Sequence, residues 1–233
     1  RCVARHAGLA ASLPIETPGT VLQRNCASGL GALVHAAHAL TAGEGDVFPV
    51  GGVESMSRSP LVMSRSESAF GRDVKLYDST IGPRFSNPRL AKQFGDDQMP
   101  QTADNLAKEY EIKREEADKF ALRSQQSYGI AKGEGFFSGE ISPVEMPPTR
   151  KGPVPPVADD EHPRPSTDLD TLGRMKPLYE GGITTAGNAS GVNDGAVALV
   201  VASLAAGEKA GAKPLARVVA SAAMGVPPRI MGI

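Results

Sequence analysis

The sequence lacks three features that each mark a class of function. Its charges almost cancel, with 25 Lys and Arg against 26 Asp and Glu in 233 residues, so it has no global positive field for nucleic acid or an acidic membrane. No apolar run approaches the roughly 18 to 20 residues of a membrane-spanning helix, and the opening residues lack a signal-peptide pattern. We therefore predict a soluble protein with no nucleic-acid partner and no membrane span.

Cysteine is scarce as well. Cys2 and Cys26 cannot form a disulfide framework, and neither has a second cysteine or a histidine at zinc-ligand spacing. We expect no metal site and a reducing compartment, which indicates the cytoplasm unless an organellar targeting segment lies upstream of Arg1. The chain begins without Met and stops at PPRIMGI without a polar tail, which indicates part of a longer protein.

Glycine and proline, by contrast, are abundant at 26 and 19 residues, which excludes a coiled coil and favours many turns. Residues 21–53 have the pattern of an α/β unit: an apolar run (GTVLQ), a helix ending at Gly43, and a second run (DVFPVGGV). Pro49 lacks a ladder donor, so the second strand should either bulge there or turn that side outward. The helix is predicted to pack through Leu30, Leu33, Val34, Ala37 and Leu40.

Residues 64–180 change to charged, turn-rich sequence, with eight prolines between Pro143 and Pro165. This pattern predicts an inserted helical subdomain followed by a long extended arm. Thr102 is expected to cap a helix over Ala103–Tyr110. A second helix is expected to pack through Ala117, Phe120, Ala121, Ser124 and Tyr128.

The apolar pattern returns after Gly181. AVALVVAS predicts a strand buried on both faces, and LARVVASAAMG predicts another. Between them, SLAAGEKAGAK predicts a helix that stops at Gly211. The layout is α/β, then an inserted subdomain, then α/β again.

Cys26 lies in LQRNCASGLGALVHA, where a predicted strand turns into a helix. A thiol at a helix N-terminus faces unpaired N–H groups and the positive end of the macrodipole, which favour the nucleophilic thiolate. Small residues after it would let a substrate carbonyl approach, and the Cys26 N–H could serve an oxyanion. An inert buried cysteine is the alternative, and the local residues leave both open.

The segment GGITTAGNASGVNDGA is the second dense motif. It lacks the Gly-Lys-Ser/Thr of a Walker loop and the GxGxxG spacing. Its small, amide-rich and hydroxyl-rich residues suit a narrow channel for an amide-containing ligand arm, or a tight polar turn before a buried strand. His6, His35, His38 and His162 have no context that marks a base for Cys26, and the pair His35 and His38 is more typical of a structural role than of a metal site.

These motifs resemble the thiolase family. VLQRNCASGL with AGEGDVFPVGGVESMSRSP is similar to the family's nucleophile segment and the following strand, and GGITTAGNASGVNDGA to its second signature. The resemblance continues through DSTIGPRFSNP, QMPQTADNLAKEY, DDEHPRP and ARVVASAAMGVPPRIMG, and so covers nearly all of the chain. The inserted segment is most similar to degradative and β-ketoadipyl-CoA-type members.

The resemblance implies an α/β fold, the layered αβαβα thiolase-like fold of two similar halves with a loop domain inserted in the first. This chain is then mainly the N-terminal half, without the protein's start and without most of the second half. The implied parts are residues 1–63 as the first part of that half, 64–180 as the loop domain, 181–213 as its closing strand and helix, and 214–233 as the start of the C-terminal half.

The implied activity is that of an acyl-CoA C-acyltransferase, which forms or thiolytically cleaves 3-ketoacyl-CoA through an acyl-cysteine. Cys26 resembles the nucleophile. Coenzyme A is substrate or product, no cofactor is tightly bound, and acyl-CoA is the partner of a homodimer or homotetramer. The family's GHP, Asn-Glu-Ala-Phe and Cys-Gly-Gly motifs do not occur in these 233 residues, so turnover by this chain alone is not expected.

The resemblance also assigns substrate contacts. Gln98 departs from the histidine of biosynthetic members, and Pro49 from the usual apolar residue of its strand. The matched positions are Met99 in the acyl pocket, Arg164 beside the CoA adenine, Thr171 as a nearby hydroxyl contact, Tyr179 against the pantetheine where Phe is usual, and Ala186 and Ser190 along the pantetheine channel.

Two other functions stay open at this point. A thiolase-like protein could keep the CoA or lipid groove without turnover. A ketoacyl synthase shares the fold and the cysteine but takes acyl groups from a carrier protein, and the loop-domain and TAGNASG matches argue against it.

Overall fold

The structure is a computed structural model that describes residues 2–233. Within these residues the chain forms two compact units. The first contains residues 2–57 and 194–224, and the second contains residues 58–193 and 225–233. The charged, proline-rich segment therefore lies wholly in the second unit, together with the last nine residues.

Helices and strands are separated by long turn-rich stretches. The α-helices of the described residues are α1 (Val3–Ala10), α2 (Ser28–Ala42), α3 (Pro88–Phe94), α4 (Met99–Glu109), α5 (Arg114–Gly133), α6 (Leu169–Gly173) and α7 (Leu204–Lys209). The strands are β1 (Val47–Glu54), β2 (Leu61–Met63), β3 (Leu76–Asp78) and β4 (Gly195–Ala202). Single 3-10 turns lie at Asn25–Ala27, Met56–Arg58, Phe136–Gly139 and Pro228–Ile230.

The first unit is built on β1 and β4, which pair antiparallel in continuous register from Val47 opposite Ala202 onward. Pro49 lies opposite Val200 with no residue inserted. Of the two expectations for Pro49, the bulge is therefore wrong, because the strand accommodates the missing donor within an unbroken register.

Two helix ends of this unit agree with the sequence prediction. Helix α2 ends at Gly43, which has a left-handed φ of 76°. Helix α7 begins after Ser203, whose hydroxyl accepts a hydrogen bond from the Ala206 N–H (3.2 Å), and it ends before Gly211, whose φ is 67°. Glycine relieves the steric cost of that conformation at both helix ends.

Helix α2 packs on β1 through small residues. Its buried residues are Ala36 and Ala39, whereas Leu30 is 67% exposed, so the buried face is offset from the predicted one, whose other four residues are half-buried. The helix and strand backbones come into contact where Gly29 lies against Gly52, since a Cβ on Gly52 would lie 3.4 Å from the Cα of Gly29. Small side chains allow such a close approach of helix and strand backbones.

Strand β4 forms as predicted, but it is not buried on both faces. Val197 is 59% exposed and Val200 is 70% exposed. Within residues 2–233 its only strand neighbour is β1, so its remaining edge and much of its apolar surface are uncovered.

Two predicted strands, GTVLQ and LARVVASAAMG, do not form in the described residues. Neither segment pairs with another strand of residues 2–233, and the ladder partner is what defines a strand. Leu215 and Val219 of the second segment are 100% and 87% exposed. An apolar sequence alone therefore does not make a strand here.

The second unit contains the predicted helices with shifted details. Thr102 does not cap α4. The helix begins at Met99 with Gln98 as its N-cap, and the Gln101 side chain accepts a hydrogen bond from the Gln98 N–H at 2.8 Å. Thr102 is buried one turn inside the helix, and its hydroxyl donates to the Met99 carbonyl at 2.7 Å. Proline at the second helical position (Pro100) is favourable there, which moves the start upstream.

Helix α5 also packs through a different face from the predicted one. Phe120 is 64% exposed and Ser124 is exposed, whereas Asp118 is buried at 3%. The predicted residues Ala117, Ala121 and Tyr128 are half-buried and so partly confirmed. A buried ion pair to Asp118, described below, rotates the packed face toward the polar side of the helix.

The proline-rich arm is extended, as expected. Isolated bridges pair Val144 with Val157 and Thr149 with Gly152. The stacked rings of Tyr128 and Phe137, with centroids 5.4 Å apart, lie where the arm leaves helix α5.

Candidate active site

Cys26 lies in an exposed 3-10 turn immediately before helix α2. Within residues 2–233 the Cys26 thiol is therefore accessible and does not have the buried environment of the alternative. The residue before it, Asn25, has a left-handed φ of 49°, a conformation that asparagine tolerates better than most residues. This single residue carries the chain from the irregular segment before it into the helix and leaves the thiol at the helix start.

Two polar side chains brace this turn. The Ser28 hydroxyl donates to the Asn25 carbonyl at 2.7 Å and accepts from the Arg24 N–H at 2.9 Å. The Gln23 side-chain oxygen accepts from the Asn25 N–H at 2.9 Å. Each bond satisfies a backbone group that the left-handed residue would otherwise leave free. The geometry presents the Cys26 thiol on a backbone held by these hydrogen bonds.

The second motif begins with a loop fastened to helix α4 by one carboxylate. Asp104 Oδ1 accepts hydrogen bonds from the Ile183 N–H (2.9 Å), the Thr184 N–H (2.9 Å) and the Thr184 hydroxyl (2.7 Å). The other oxygen, Oδ2, lies against Gly182, where a Cβ would be only 2.1 Å away. Glycine is therefore required at position 182 by the carboxylate beneath it.

The next residues of the loop are fastened to helix α5. The Asn188 side chain donates from Nδ2 to Asp118 Oδ1 at 2.9 Å and accepts at Oδ1 from the Thr185 N–H at 2.7 Å. Arg114 pairs with the other oxygen of Asp118 at 2.8 Å and also donates to the Leu172 carbonyl at 2.7 Å. This buried polar network holds the loop against helix α5.

The predicted CoA contacts all lie in the second unit and are accessible. Ala186 and Ser190 are exposed on the braced loop, and Thr171, half-buried in α6, donates its N–H to Asp168 Oδ1 at 2.6 Å. Arg164 is exposed, and its N–H donates to the Gln125 side chain at 2.6 Å. Its guanidinium also donates to the carbonyls of His162 and Pro163, each at 2.9 Å, which curls the arm around it.

Tyr179 and Met99 are brought together through Gln98. The Tyr179 hydroxyl donates to Gln98 Oε1 at 2.9 Å, and Met99 follows Gln98 in the chain with 49% of its surface exposed. A hydroxyl can make this bond and the usual phenylalanine cannot. Gln98 and Tyr179, which both differ from residues usual in the family that the sequence resembles, are therefore hydrogen-bonded to each other.

Cys26 belongs to the first unit and the other predicted site residues belong to the second. Within residues 2–233 no hydrogen bond joins Cys26 to a histidine. His38 Nε2 lies 3.4 Å from the Ser221 hydroxyl, and the His162 ring packs on Gly191, where a Cβ would be 2.5 Å from Nδ1. Residues 2–233 hold no group of three or more His, Cys, Asp or Glu suited to a metal ion.

Asp104 and Asp118 support the loop of the second motif, and sequence reasoning missed both residues. The available signal was Asp118 four residues after Arg114, on the same face as Ala121. A charged pair on a packed face is an indication of a buried network.

None of the helices in the described part of the chain has the length and apolar composition to cross a membrane.

A family profile and the curated relatives of this chain all indicate one family. The profile described as "Thiolase, N-terminal domain" matches residues 1–205. The β-ketoadipyl-CoA thiolase of Pseudomonas aeruginosa is 55% identical over 234 residues, which cover 100% of this chain and 58% of that protein. The 3-oxoadipyl-CoA/3-oxo-5,6-dehydrosuberyl-CoA thiolase of Escherichia coli K12 is 51% identical with the same coverage. The chain thus spans 58% of the length of these curated relatives.

Two solved structures of related enzymes match nearly the whole chain. Human mitochondrial 3-ketoacyl-CoA thiolase, solved in complex with CoA, matches with a TM-score of 0.84 at 39% identity, over 98% of this chain and 56% of that one. The Bacillus anthracis acetyl-CoA acetyltransferase matches with a TM-score of 0.84 at 36% identity, over 98% and 57%. The fold is therefore the N-terminal portion of the thiolase-like α/β fold, as the sequence resemblance implies.

Proposed function

The chain belongs to the thiolase family, and from this premise we propose that the protein is an acyl-CoA C-acyltransferase that forms or thiolytically cleaves 3-ketoacyl-CoA. The observation that carries the proposal is the exposed Cys26 in a braced turn at the start of α2. Cys26 is the acyl-accepting nucleophile. A thiolate there attacks without a metal or a bound cofactor, because sulfur is intrinsically nucleophilic.

In the thiolysis direction, Cys26 Sγ attacks the C3 carbonyl of the 3-ketoacyl-CoA. The C2–C3 bond breaks, its electron pair stays on C2, and C2 takes a proton to give acetyl-CoA. The thiol of a second CoA then attacks the acyl–Cys26 thioester, which releases the shortened acyl-CoA and returns the cysteine. The proton donor and acceptor are the histidine and second cysteine of family motifs that do not occur in these 233 residues.

Coenzyme A enters and leaves as substrate and product, with no tightly bound cofactor in the proposal. Six residues line its groove and the acyl pocket. Ala186 and Ser190 contact the pantetheine from a loop that Asp104 and Asp118 hold in place. The remaining contacts are Met99, Arg164, Thr171 and Tyr179.

The names of the relatives support a choice of substrate class, because several are named for 3-oxoadipyl-CoA or β-ketoadipyl-CoA. We propose that the substrate is a 3-oxo dicarboxylic acyl-CoA whose acyl chain is about as long as the 3-oxoadipyl group in the names of these relatives. Human 3-ketoacyl-CoA thiolase is less similar, at 41% identity.

The experiment measures thiolysis by the full natural chain with 3-oxoadipyl-CoA and CoA, followed by mass spectrometry of the quenched enzyme. The expected results are turnover and an acyl adduct on the peptide that contains Cys26. Cys26→Ala should abolish both, and Cys2→Ala, a change at the other cysteine of these 233 residues, should preserve both. Full activity in Cys26→Ala would contradict the proposal, and CoA binding without turnover in the parent would favour a non-catalytic CoA-binding protein.

A homodimer or homotetramer in the cytoplasm completes the proposal. Exposed apolar residues on β4, such as Val197 and Val200, favour association. Light scattering of the full natural chain after size exclusion checks the number of subunits.

A further inference from the structure

Gln98 joins three segments of the second unit. Its Oε1 accepts the Tyr179 hydroxyl at 2.9 Å, and its backbone N–H is held by Gln101 at 2.8 Å. Its Nε2 faces Gly82, where a Cβ would lie 3.2 Å away. Nε2 donates to no residue of 2–233. The amide is therefore fixed in orientation, with its donor end unused.

Arg84 brings a positive charge to the same place. Its Nη1 donates to the Gly82 carbonyl at 3.1 Å, so Gly82 contacts both the Gln98 amide and the Arg84 guanidinium. Arg84 is exposed and forms no ion pair with another described residue. The amide of Gln98 and the guanidinium of Arg84, both adjacent to Gly82, are the kinds of donor that a carboxylate accepts.

The neighbouring carboxylate of Asp97 does not oppose an acidic ligand. Arg229 holds it with bonds of 2.7 Å and 3.3 Å, and the Asn105 side chain adds a third at 3.1 Å. The Arg229 guanidinium lowers the pKa of Asp97, and the pair is electrically neutral. Asp96, which is exposed and forms no ion pair within residues 2–233, also carries a charge at this end of α4, so the case for an acidic ligand depends on the donors of Gln98 and Arg84.

We propose that Gln98 Nε2 and the Arg84 guanidinium recognise a carboxylate at the far end of the acyl chain, with the methylene groups of that chain lying along Met99. This inference rests on the proposed function and assigns the residues that select its substrate class. A chain of equal length that ends in a methyl group leaves both donors without an acceptor. A site that hydrogen-bonds a polar group of its substrate discriminates against an analogue without that group more strongly than a pocket discriminates by one methylene.

The test compares kcat/KM of the full natural chain for 3-oxoadipyl-CoA and 3-oxohexanoyl-CoA, which have six acyl carbons each and differ only at the terminal carbon. The parent should prefer the dicarboxylic substrate. Gln98→Glu keeps the size of the side chain and an oxygen for Tyr179, but replaces the donor with a negative charge. The ratio of the two kcat/KM values should fall about 100-fold, the size expected for loss of a charge-assisted hydrogen bond.

Gln101→Glu is the matched control, since it adds the same charge one turn further along α4 and keeps the oxygen that accepts the Gln98 N–H. For Gln101→Glu, the ratio of kcat/KM for 3-oxoadipyl-CoA to kcat/KM for 3-oxohexanoyl-CoA should stay within about threefold of the ratio for the parent. Arg84→Gln, at an exposed side chain bonded only to a loop carbonyl, should lower the ratio about tenfold, mainly through KM of the dicarboxylic substrate. This variant keeps the test valid if Gln98→Glu misfolds.

The outcomes separate the two proposals. A parent inactive with both substrates would overturn the proposed function and this inference together. A parent that cleaves both substrates equally well, or unchanged ratios in Gln98→Glu and Arg84→Gln, would overturn this inference and leave the thiolase activity standing.

Discussion

Asp118 and Asn188 meet at 2.9 Å across 70 residues of sequence, carboxylate oxygen to side-chain amide. The other oxygen of Asp118 is held by Arg114 at 2.8 Å, and Asp118 is only 3% exposed. This buried carboxylate thus fastens to helix α5 the loop that carries two of the proposed pantetheine contacts, and Asp104 fastens the same loop to helix α4. The rigidity of the proposed CoA channel is a property of helix α5 as much as of the loop.

The first prediction is that Asp118→Ala lowers the free energy of unfolding by about 3 to 5 kcal/mol, because it leaves Arg114 and Asn188 without their buried partner. Urea unfolding followed by circular dichroism measures the change. Lys119→Ala, at the neighbouring exposed position of α5, is the control and should change it by less than about 0.5 kcal/mol. Equal midpoints for the two variants would show that the network does not stabilise the fold.

A second prediction concerns the packing of the loop on α6. In Gly187→Ala the new methyl would lie 2.5 Å from Met175 Sδ and 2.6 Å from Leu172 Cδ2. Leu172 is 1% exposed and cannot move away freely, so we expect a loss of about 1 to 3 kcal/mol from overpacking. Thermal melting of Gly187→Ala beside Gly173→Ala checks this, since a Cβ on Gly173 meets nothing within 4 Å. A melt unchanged in both variants would contradict the steric argument.

The third prediction is a pH dependence. The hydrogen bond from Arg229, together with its charge, holds the pKa of Asp97 below the ordinary value, against the opposing effect of burial. A depressed pKa in the folded state gives stability that is present above the unfolded value of about 3.9 and is lost as pH falls through the folded value. Arg229→Gln should therefore be less stable than the parent above about pH 5, and the difference should shrink below about pH 4.

Urea unfolding of parent and variant from pH 3 to pH 7 measures this difference. Arg150→Gln is the control, because Arg150 is exposed and forms no ion pair within residues 2–233. A gap between parent and Arg229→Gln that stays constant down to pH 3 would exclude Asp97 as its origin.

Local chemistry predicted the parts of the fold that depend on a few neighbouring residues. Gly43 ends α2 because glycine relieves a left-handed φ of 76°, and Cys26 comes at the start of that helix as its flanking small residues indicate. At the start of α4, however, the prediction from local chemistry was wrong. Thr102 is inside α4 rather than at its cap, since Pro100 and Gln101 favour an earlier start.

Burial was less predictable than secondary structure, because the burial of a side chain depends on partners that are distant in the sequence. Phe120 is more apolar than Asp118, yet it is the one exposed, because Asp118 finds Arg114 and Asn188 inside the unit. No spacing rule in the sequence indicates a partner 70 residues away. The candidate residues of the site were named from motif resemblance, whereas their supports, such as Asp104, required coordinates.

The last prediction is that Cys26 reacts with iodoacetamide at least about tenfold faster than Cys2 in the folded full natural chain at pH 7. Cys26 is exposed, whereas Cys2 is half-buried and its thiol donates to the Gly19 carbonyl at 3.4 Å, and access of the reagent governs the rate for otherwise similar thiols. Peptide mapping after timed quenching measures both sites, and unfolding in urea should bring the two rates together. Faster labelling of Cys2 in the folded protein would contradict the exposed turn at Cys26 on which the proposed nucleophile depends.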